Sequence, residues 1–271
     1  MKIEFSKYQG TGNDFIIINN FENSINHNSN LAIKLCNRHF GIGSDGLIII
    51  EKHKKFDFDM VFYNPDGNQS FCGNGSRCAV KYAFDNNIIN NLDTIFNSTD
   101  GVHKGNISNK IIEIEMKNPQ FLKIPIKIDE KIIYADLINT GSPHLILHYK
   151  TIEEIELLNV PQTGAKWRYT KEFAEKGGVN VNFISEIDNS KIYLRTYERG
   201  VENETLSCGT GVTAAAISYH SKCLKNIMKN NIEVKTLGGI LNVKFDYTEN
   251  LYENIRLCGP SEFVFSGKID I

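Results

Sequence analysis

The feature that most constrains the fold of this 271-residue chain is an internal repeat with an offset of about half its length. Each half contains a Cys-Gly-x-Gly loop that leads into a helical stretch, and a further strand and turn follow that stretch. In each half a glycine loop comes first, then a strand with a turn, then the cysteine loop. These three features are residues 10–13, 62–67 and 72–75 in the first half, and residues 140–144, 196–200 and 208–211 in the second half. Because several features recur in one order, the sequence predicts two halves of similar structure.

Alternating and short apolar segments between turn residues predict many strands and few helices. The predicted strands are residues 3–8, 14–19, 46–51, 57–64, 111–117, 132–139, 144–149, 182–186, 191–198, 232–236, 239–247 and 254–259, and the predicted helices are residues 31–39, 76–84, 170–176 and 212–223. Since helices do not alternate with strands, we expect an α+β fold with mainly antiparallel sheets rather than a doubly wound nucleotide-binding fold.

Two prolines, Pro119 and Pro125, interrupt the pattern and predict a linker near residues 118–128. We therefore expect an N-terminal domain of residues 1–118 and a C-terminal domain of residues 119–259. The apolar end of the chain predicts that residues 260–271 return to the N-terminal domain.

Composition narrows the class of partner. A formal net charge of −2 gives no broad basic surface, so we expect neither nucleic acid nor an anionic membrane as a partner. No apolar run approaches membrane-spanning length, and the first residues resemble a strand rather than a signal peptide. Six scattered cysteines without a secretory signal are typical of reduced thiols, and the expected location is cytoplasmic.

The two Cys-Gly-x-Gly loops predict an anion site. A glycine-rich turn into a helix presents unpaired backbone N–H groups, and these groups and the helix dipole favour negative charge. If Cys72 and Cys208 lie at the first turns of their helices, the pKa of each thiol is expected to be lowered. The same N–H groups could bind a substrate carboxylate.

This combination suits inversion of an amino-acid α-carbon. Removal of the α-proton without pyridoxal phosphate requires donors already directed at the carboxylate, and inversion requires a base on one face and an acid on the other. Cys72 and Cys208 would supply one thiolate and one thiol, with no cofactor.

We interpret the other four cysteines as small core residues. No metal site is expected, because there is no Cys-x-x-Cys pair and the histidines lack ligand spacing. A Cys72–Cys208 disulfide stays open as an oxidised, inactive form.

A second glycine motif, Gly41-x-Gly43-x-x-Gly46, has the spacing of a dinucleotide-binding loop. It follows a predicted helix and leads into a predicted strand, which is the reverse of the dinucleotide context. We therefore expect no nucleotide there.

With these residues identified, the chain resembles diaminopimelate epimerases over nearly its whole length. The resemblance lies in Gly10-x-Gly12-Asn13-Asp14-Phe15, Asn37-Arg38-His39-x-Gly41-Ile42-Gly43, Asn64-x-Asp66-Gly67, Cys72-Gly73-Asn74-Gly75-x-Arg77-Cys78, Gly141-x-Pro143-His144, Val179-Asn180, Tyr197-Glu198-Arg199-Gly200 and Cys208-Gly209-x-Gly211. It implies two pseudo-symmetric domains, each a curved sheet around a central helix, with the active site in the cleft between them. It also implies interconversion of LL- and meso-diaminopimelate on the route to lysine and peptidoglycan.

The resemblance assigns roles by position. Cys72 and Cys208 match the catalytic pair, and His144 and Glu198 match residues that tune the cysteines. The loops that hold the reacting carboxylate match Gly73, Asn74, Gly209 and Thr210. The residues that contact the rest of the substrate match Asn13, Asn64, Asn180, Arg199 and, near the distal amine, Glu198.

Elementary chemistry agrees at the distal end of diaminopimelate, which carries a carboxylate and an ammonium group. Arg199 could bind the carboxylate with two hydrogen bonds, and Glu198 could accept from the ammonium. Two positions depart from the family pattern. Ser142 stands where many members have asparagine, and Gly46 stands where some have a substrate-contacting glutamine.

Two alternatives stay open. One is a racemase of the same architecture that acts on proline or hydroxyproline, which would not need the Glu198–Arg199 pair. The other is a thiol redox or anion-binding protein, although redox proteins generally use closely spaced cysteines. The expected partner is a small-molecule substrate, and a homodimer stays open.

Overall fold

The structure, a computed structural model, describes residues 2–124, 127, 132–223 and 230–270. The contacts within the chain divide it into two compact units. Unit 1 comprises Met1–Glu115 and Cys258–Ile271, and unit 2 comprises Met116–Leu257. The domain limits expected from the sequence, at residues 118 and 259, stay a prediction. The linker predicted at residues 118–128 contains a short strand. Residues 125, 126 and 128 of this linker lie outside the described part of the chain. Residue 271, at the predicted C-terminal return, also lies outside it.

Among its described residues, unit 1 contains eight complete strands, two helices and the last residues of one further strand. Its elements are β1 (Lys2–Gly10), β2 (Asn13–Asn19), α1 (Ser29–Cys36), β3 (Gly46–Glu51), β4 (Phe58–Tyr63), α2 (Gly73–Asp85), β5 (Asp93–Ser98), β6 (Gly101–Ser108), β7 (Ile111–Glu115) and β17 (Glu262–Asp270). β1 pairs antiparallel with β17 and with β2. From β2 to β6 the pairings alternate, because β2–β3 and β4–β5 are parallel, whereas β3–β4 and β5–β6 are antiparallel. The next pair, β6–β7, is again antiparallel.

Unit 2 contains the remaining elements. They are β8 (Gln120–Leu122), β9 (Tyr134–Asn139), β10 (Pro143–His148), α3 (Ile152–Glu156), α4 (Val160–Arg168), α5 (Lys171–Ala174), β11 (Asn180–Asp188), β12 (Lys191–Glu198), β13 (Asn203–Thr205), α6 (Gly209–Cys223), β14 (Asn231–Thr236), β15 (Gly239–Thr248) and β16 (Leu251–Pro260). The boundary between the units falls within β16. Parallel pairs β10–β11 and β12–β14 alternate with antiparallel pairs β9–β10, β11–β12 and β14–β15.

The sequence repeat is therefore a repeat of strand pairing. In unit 1 the series from β1 to β6 is antiparallel, parallel, antiparallel, parallel, antiparallel. Unit 2 shows the same series from β9 to β15 when the short β13 is set aside. The α+β class with mainly antiparallel pairing is confirmed.

Each unit is built around one buried helix. α2 packs against β1, β2, β3, β4, β6, β7 and β17, and α6 packs against β9, β10, β11, β12, β14 and β15. Both helices are buried on nearly every face in their first turns. A helix enclosed on all sides needs small or apolar residues all round. The glycines, serine and alanines of α2 and the alanine run of α6 meet this requirement.

Local capping explains where the predicted helix limits were wrong. Both central helices begin three residues earlier than predicted, at Gly73 and Gly209. α1 stops at Cys36 because Asn37 is extended and its side-chain oxygen accepts from the N–H groups of His39 and Phe40. Two short helices that the periodic pattern missed, α3 and α4, begin at side-chain caps: a capping box at Thr151, and Asn159 with Pro161 in the first turn that follows.

The end of the chain lies in unit 1. β17 pairs with β1 along nearly its whole length, from Lys2 opposite Asp270 to Gln9 opposite Glu262. Within the described residues, no helix combines the length and the apolar run that crossing a bilayer requires.

Candidate active site

The Cys72 side chain caps helix α2. Cys72 has extended backbone angles, φ −133° and ψ 112°, and its Sγ accepts a hydrogen bond from the Gly75 N–H at 3.3 Å. Its carbonyl accepts the first bond of the helix, from the Ser76 N–H at 2.8 Å. The sulfur thus takes the place that an oxygen usually has at a helix start, at the positive end of the helix dipole. This position favours a thiolate.

Behind this loop runs a chain of hydrogen bonds with fixed ends. The Asp45 carboxylate accepts from Asn13 Nδ2 at 2.7 Å, and Asn13 Oδ1 accepts from Asn74 Nδ2 at 3.2 Å. Asn74 Oδ1 accepts from Arg77, which also donates to Thr11 Oγ1. A carboxylate only accepts and a guanidinium only donates, so the two ends determine the orientation of both amides. Asn13 and Asn74, two of the predicted substrate residues, are therefore held together in one arrangement.

Arg77 is a functional candidate that the sequence analysis left without a role. Its side chain is fully buried, and its hydrogen-bond acceptors in the described residues are neutral: Asn74 Oδ1, Thr11 Oγ1 and the Pro260 carbonyl. Burial lowers the pKa of the Arg77 guanidinium, and the nearby thiols, Cys72 among them, act in the opposite direction. A buried cation one turn after Cys72 adds to the positive potential around its sulfur. The signal was present in the motif as Cys-Gly-Asn-Gly-x-Arg.

Asn64 shapes the turn that leads to Cys72. Its Nδ2 donates to the Asn68 carbonyl at 2.9 Å and to Ser70 Oγ at 3.0 Å. Gly67 in the same turn has a φ of +86°, and a Cβ there would meet Ser29 at 2.8 Å. Asn64 thus organises the turn that leads to Cys72.

The departure at Gly46 has a steric reason. A Cβ on Gly46 would lie 2.2 Å from the buried Phe62 ring. Phe62 therefore occupies the space that a glutamine at this position would need. The motif that contains Gly46 connects α1 to β3, so its reversed context relative to a dinucleotide loop is confirmed.

The Cys208 loop begins α6 in the corresponding way. The Cys208 carbonyl accepts the first helical bond from the Val212 N–H at 2.8 Å, and the residue is 7% exposed. Thr210 Oγ1 lies 3.5 Å from the Cys208 Sγ, and the Thr210 carbonyl accepts from Thr140 Oγ1 at 2.8 Å. Thr140 therefore anchors the loop to the glycine turn after β9.

His144 lies beside this loop and is completely buried. Its Nε2 is 2.9 Å from Thr210 Oγ1 and 3.0 Å from Ser142 Oγ, and its Nδ1 is 3.1 Å from Asn182 Nδ2. Burial, with a smaller contribution from the charge of Arg199, lowers the pKa of His144 to about 3. The imidazole is therefore neutral at physiological pH and is placed to orient the Thr210 hydroxyl.

The predicted distal residues meet at the ends of β11 and β12. Asn180 Oδ1 accepts from the Arg199 N–H at 2.8 Å, and Asn180 Nδ2 donates to Ser142 Oγ at 3.1 Å. Glu198 Oε2 accepts from Thr205 Oγ1 at 2.9 Å. Arg199 is exposed, and within the described residues its guanidinium has no carboxylate partner, only the Gly177 carbonyl at 3.5 Å. An exposed guanidinium of this kind can accept an incoming carboxylate.

Glu202 holds the turn after Arg199, and the sequence analysis missed it. Its carboxylate accepts from Arg168 Nε at 2.8 Å, Tyr169 Oη at 2.6 Å, Tyr197 Oη at 3.0 Å and the Gly200 N–H at 2.9 Å. Burial alone would raise the pKa of Glu202, but these hydrogen bonds lower it to about 2. Glu202 thereby ties the Tyr-Glu-Arg-Gly turn to helix α4 and the residue after it.

The structure thus assembles the predicted residues into separate groups. Unit 1 brings together Cys72, Gly73, Asn74 and Asn13 around the start of α2. Unit 2 brings together Cys208, Gly209, Thr210 and His144 around the start of α6, and joins Asn180 to Arg199. Within the described residues, no disulfide joins any of the cysteines. The roles of these residues, the absence of a metal and the absence of a cofactor stay predictions.

Comparison with solved structures defines the fold. The chain superimposes on a protein of the phenazine biosynthesis PhzF family from Bacillus anthracis with a TM-score of 0.79, at 14% identity and over 100% of both chains. It superimposes on a hydroxyproline epimerase from Agrobacterium vitis with a TM-score of 0.73, at 12% identity, over 99% of this chain and 92% of that one. These likenesses show that the chain has the same fold as these two proteins.

Sequence comparison gives the family. The profile described as diaminopimelate epimerase matches residues 5–122 and 137–262. A diaminopimelate epimerase from Flavobacterium psychrophilum is 45% identical over 97% of this chain and 98% of its own length, and one from Aquifex aeolicus is 36% identical over 98% of each. The chain belongs to the diaminopimelate epimerase family, whose members are isomerases.

The Glu202 contacts predict a defined pH dependence. A depressed pKa means that the carboxylate stabilises the fold above about pH 4.5 and that this contribution is lost as the pH falls toward about 2. Because the side chain is about a third exposed, we expect Glu202→Gln to reduce the free energy of unfolding at pH 7 by about 1 kcal/mol. Urea titrations at pH 7 and pH 3 measure the difference, which should shrink at pH 3. Glu172→Gln, on the neighbouring helix α5, is the matched control. A difference between Glu202→Gln and the parent that is the same at both pH values would contradict this account.

Proposed function

We propose that this chain interconverts LL- and meso-diaminopimelate by inverting one α-carbon, with two cysteine sulfurs as the acid and base and no cofactor. The observation that carries the proposal is that each unit starts its buried central helix at a cysteine. Membership of the diaminopimelate epimerase family supports the choice of substrate.

The proposed reaction balances through exchange of protons between carbon and sulfur. One thiolate removes the α-proton and becomes a thiol, and the opposite thiol delivers its proton to the other face of the α-carbon and becomes a thiolate. Since the two cysteines exchange protonation states, the reverse reaction uses them in opposite roles. The mechanism requires both sulfurs to reach one α-carbon.

The reacting carboxylate would bind to the helix starts. The N–H groups of Gly73 and Asn74, and those of Gly209 and Thr210, belong to first turns whose N–H groups lack intrahelical partners. Charge that develops on the carboxylate as the α-proton leaves is stabilised best by donors already in position. The hydrogen-bond chain behind Asn74 supports such preorganisation.

The distal end of the substrate would bind at the turn that Glu202 holds. Arg199 would pair with the distal carboxylate, and Glu198 would accept from the distal ammonium group. Asn180 supports this assignment because its amide oxygen fixes the Arg199 backbone. Asn13 and Asn64 would complete the contacts to the substrate.

The test of the function is a direct comparison of substrates. The protein should convert LL-diaminopimelate to the meso form under reducing conditions, as measured by chiral chromatography. Parallel reactions with L-proline and trans-4-hydroxy-L-proline test the related racemases, and no inversion is expected with either. Inversion of a proline without inversion of diaminopimelate would replace the proposal with that alternative, and no inversion of any substrate would favour an anion-binding or redox role.

We further propose a cytoplasmic enzyme whose partners are its substrate and a second copy of itself. Strand β17 pairs with β1 on one side, and its Phe263, Val264 and Phe265 are each about half exposed. Half-exposed apolar residues next to one another on a strand favour contact with another chain. Sedimentation equilibrium should give about twice the 30.7 kDa chain mass, with Val264→Glu shifting the protein toward the monomer. A parent protein that sediments as a monomer would rule the homodimer out.

Both cysteines should be indispensable. Cys72→Ala and Cys208→Ala should each lower kcat by about 10³-fold or more, because neither thiol can serve both faces of the carbon. Serine replacements should also be poor, since a hydroxyl is much less acidic than a thiol. The interpretation of Cys223 as a core residue was wrong, because it lies partly exposed at the end of α6. Cys223→Ala is therefore the control and should keep parental activity. Near-normal turnover by either alanine variant would exclude the two-base mechanism.

Arg199 should be required for binding rather than for proton transfer. Arg199→Lys replaces a planar fork with a point charge, so we expect KM to rise roughly 30-fold, or about 2 kcal/mol, with a smaller change in kcat. Steady-state kinetics with LL-diaminopimelate measure both. Arg256→Lys, at an exposed arginine of β16, controls for the substitution itself. If Arg199→Lys kept the parental KM, the distal site would have to lie elsewhere.

A further inference from the structure

A line of polar side chains leads from strand β12 to the Cys208 sulfur. Thr196 Oγ1 lies 3.0 Å from Asn182 Oδ1, and Asn182 Nδ2 lies 3.1 Å from His144 Nδ1. His144 Nε2 lies 2.9 Å from Thr210 Oγ1, which lies 3.5 Å from Cys208 Sγ. Asn182 and His144 are both completely buried. Because water is excluded from Asn182 and His144, each donor there needs an acceptor among these atoms.

The orientation of Asn182 is determined by a carbonyl. The same Nδ2 that faces His144 also lies 3.3 Å from the Leu145 carbonyl oxygen, which can only accept. The amide therefore presents N–H groups on this side, and its oxygen accepts from Thr196. An N–H group can only donate, so His144 Nδ1 must be the unprotonated nitrogen. A neutral imidazole carries one N–H, and here it lies on Nε2.

The protonated Nε2 determines what the neighbouring hydroxyls do. Because Nε2 carries the hydrogen, neither the Thr210 nor the Ser142 hydroxyl can donate to it. The two hydroxyl oxygens instead share the Nε2–H group as acceptors. The Ser142 oxygen also accepts from Asn180 Nδ2 at 3.1 Å. The Thr210 hydroxyl hydrogen then has two acceptors within reach, Ser142 Oγ at 3.3 Å and the Cys208 sulfur at 3.5 Å. A thiolate carries charge and is the stronger acceptor of the two.

We propose that Asn182 is a positioning residue that fixes the Nε2–H tautomer of His144 and thereby directs the Thr210 hydroxyl at the Cys208 sulfur. A hydroxyl that donates to sulfur stabilises the thiolate over the thiol. The tautomer follows from the contacts alone, whereas its effect on catalysis rests on the proposed function. A residue outside the cysteine motif thus prepares Cys208 for its role as a base.

The close packing of α6 supports this arrangement. A Cβ on Gly211 would lie 2.6 Å from Asn182 Oδ1 and 3.3 Å from His144 Nδ1. The last glycine of the Cys-Gly-x-Gly loop is therefore needed for the helix to approach the Asn182–His144 pair. The loop sequence and the pair on β10 and β11 depend on each other.

Nitrogen-15 NMR of histidine-labelled protein tests the tautomer without any substrate. The His144 signals, identified by their absence in His144→Gln, should show an unprotonated Nδ1 and a protonated Nε2 from pH 5 to pH 8. His148, which lies against Ser218, provides a second buried histidine in the same spectrum. A protonated Nδ1 in the parent protein overturns the proposed role of Asn182, even if epimerisation is observed. If the expected tautomer is found in a protein without epimerase activity, the role of Asn182 in setting the tautomer stands and the proposed function fails.

An Asn182 variant tests the cause of the tautomer. In Asn182→Asp the carboxylate accepts from the ring, so the proton should move to His144 Nδ1. Asn242→Asp, on β15 and away from His144, should leave the His144 signals in place. If Nδ1 stayed unprotonated in a folded Asn182→Asp protein, Asn182 would not be what sets the tautomer.

A pair of Thr210 variants tests the hydroxyl. The titration midpoint of the Cys208 sulfur can be followed by thiolate ultraviolet absorbance, with the Cys208→Ala protein subtracted. Thr210→Val should raise this midpoint by about one pH unit, and Thr210→Ser should restore it. A midpoint that is equal in the valine and serine variants would overturn the proposed contact.

Discussion

The hydrogen bond from the Gly75 N–H to the Cys72 sulfur shows the constraint on which both units depend. A helix that starts inside a protein must find partners for its first N–H groups, because water cannot serve them. Here the first turns of α2 and α6 are buried, and the residue before each is a cysteine rather than a serine or aspartate. The capping position therefore holds a soft, ionisable sulfur at the positive end of a dipole. Packing requires a hydrogen-bond acceptor at the start of each buried helix, and the proposed chemistry requires an ionisable group there. A cysteine at this position meets both requirements.

Near each cysteine, the orientations of the polar side chains are determined by groups that can only donate or can only accept a hydrogen bond. In unit 1 the chain from Asp45 to Arg77 fixes the amides of Asn13 and Asn74. In unit 2 the Leu145 carbonyl fixes Asn182, and Asn182 fixes His144. Networks of this kind are rigid because any reversed member would leave a buried group unpaired. Such rigidity is what a site needs if its donors must be in place before charge develops.

Much of this could be predicted from the sequence. The repeat, the α+β class and the two cysteine loops depend on local signals: glycine spacing, apolar alternation and the order of elements. The helix starts were placed three residues late, because propensity favours neither Gly73 nor Gly209 in a helix whereas burial and capping do. Asp45, Asn182 and Glu202 were missed because their partners lie far along the chain, and only the fold brings them into contact. Gly46 required the position of Phe62 before its small size could be explained.

The central claim is that two thiols exchange protons with one α-carbon of diaminopimelate. Incubation with LL-diaminopimelate in deuterium oxide, with reductant and no added cofactor, tests it most directly. Product analysis by mass spectrometry and chiral chromatography should show meso-diaminopimelate with one deuterium, located at the inverted carbon, since the proton that enters comes from a thiol equilibrated with solvent. At early time points, before meso product has returned to the LL form, meso product without deuterium or with deuterium at both α-carbons would contradict the account.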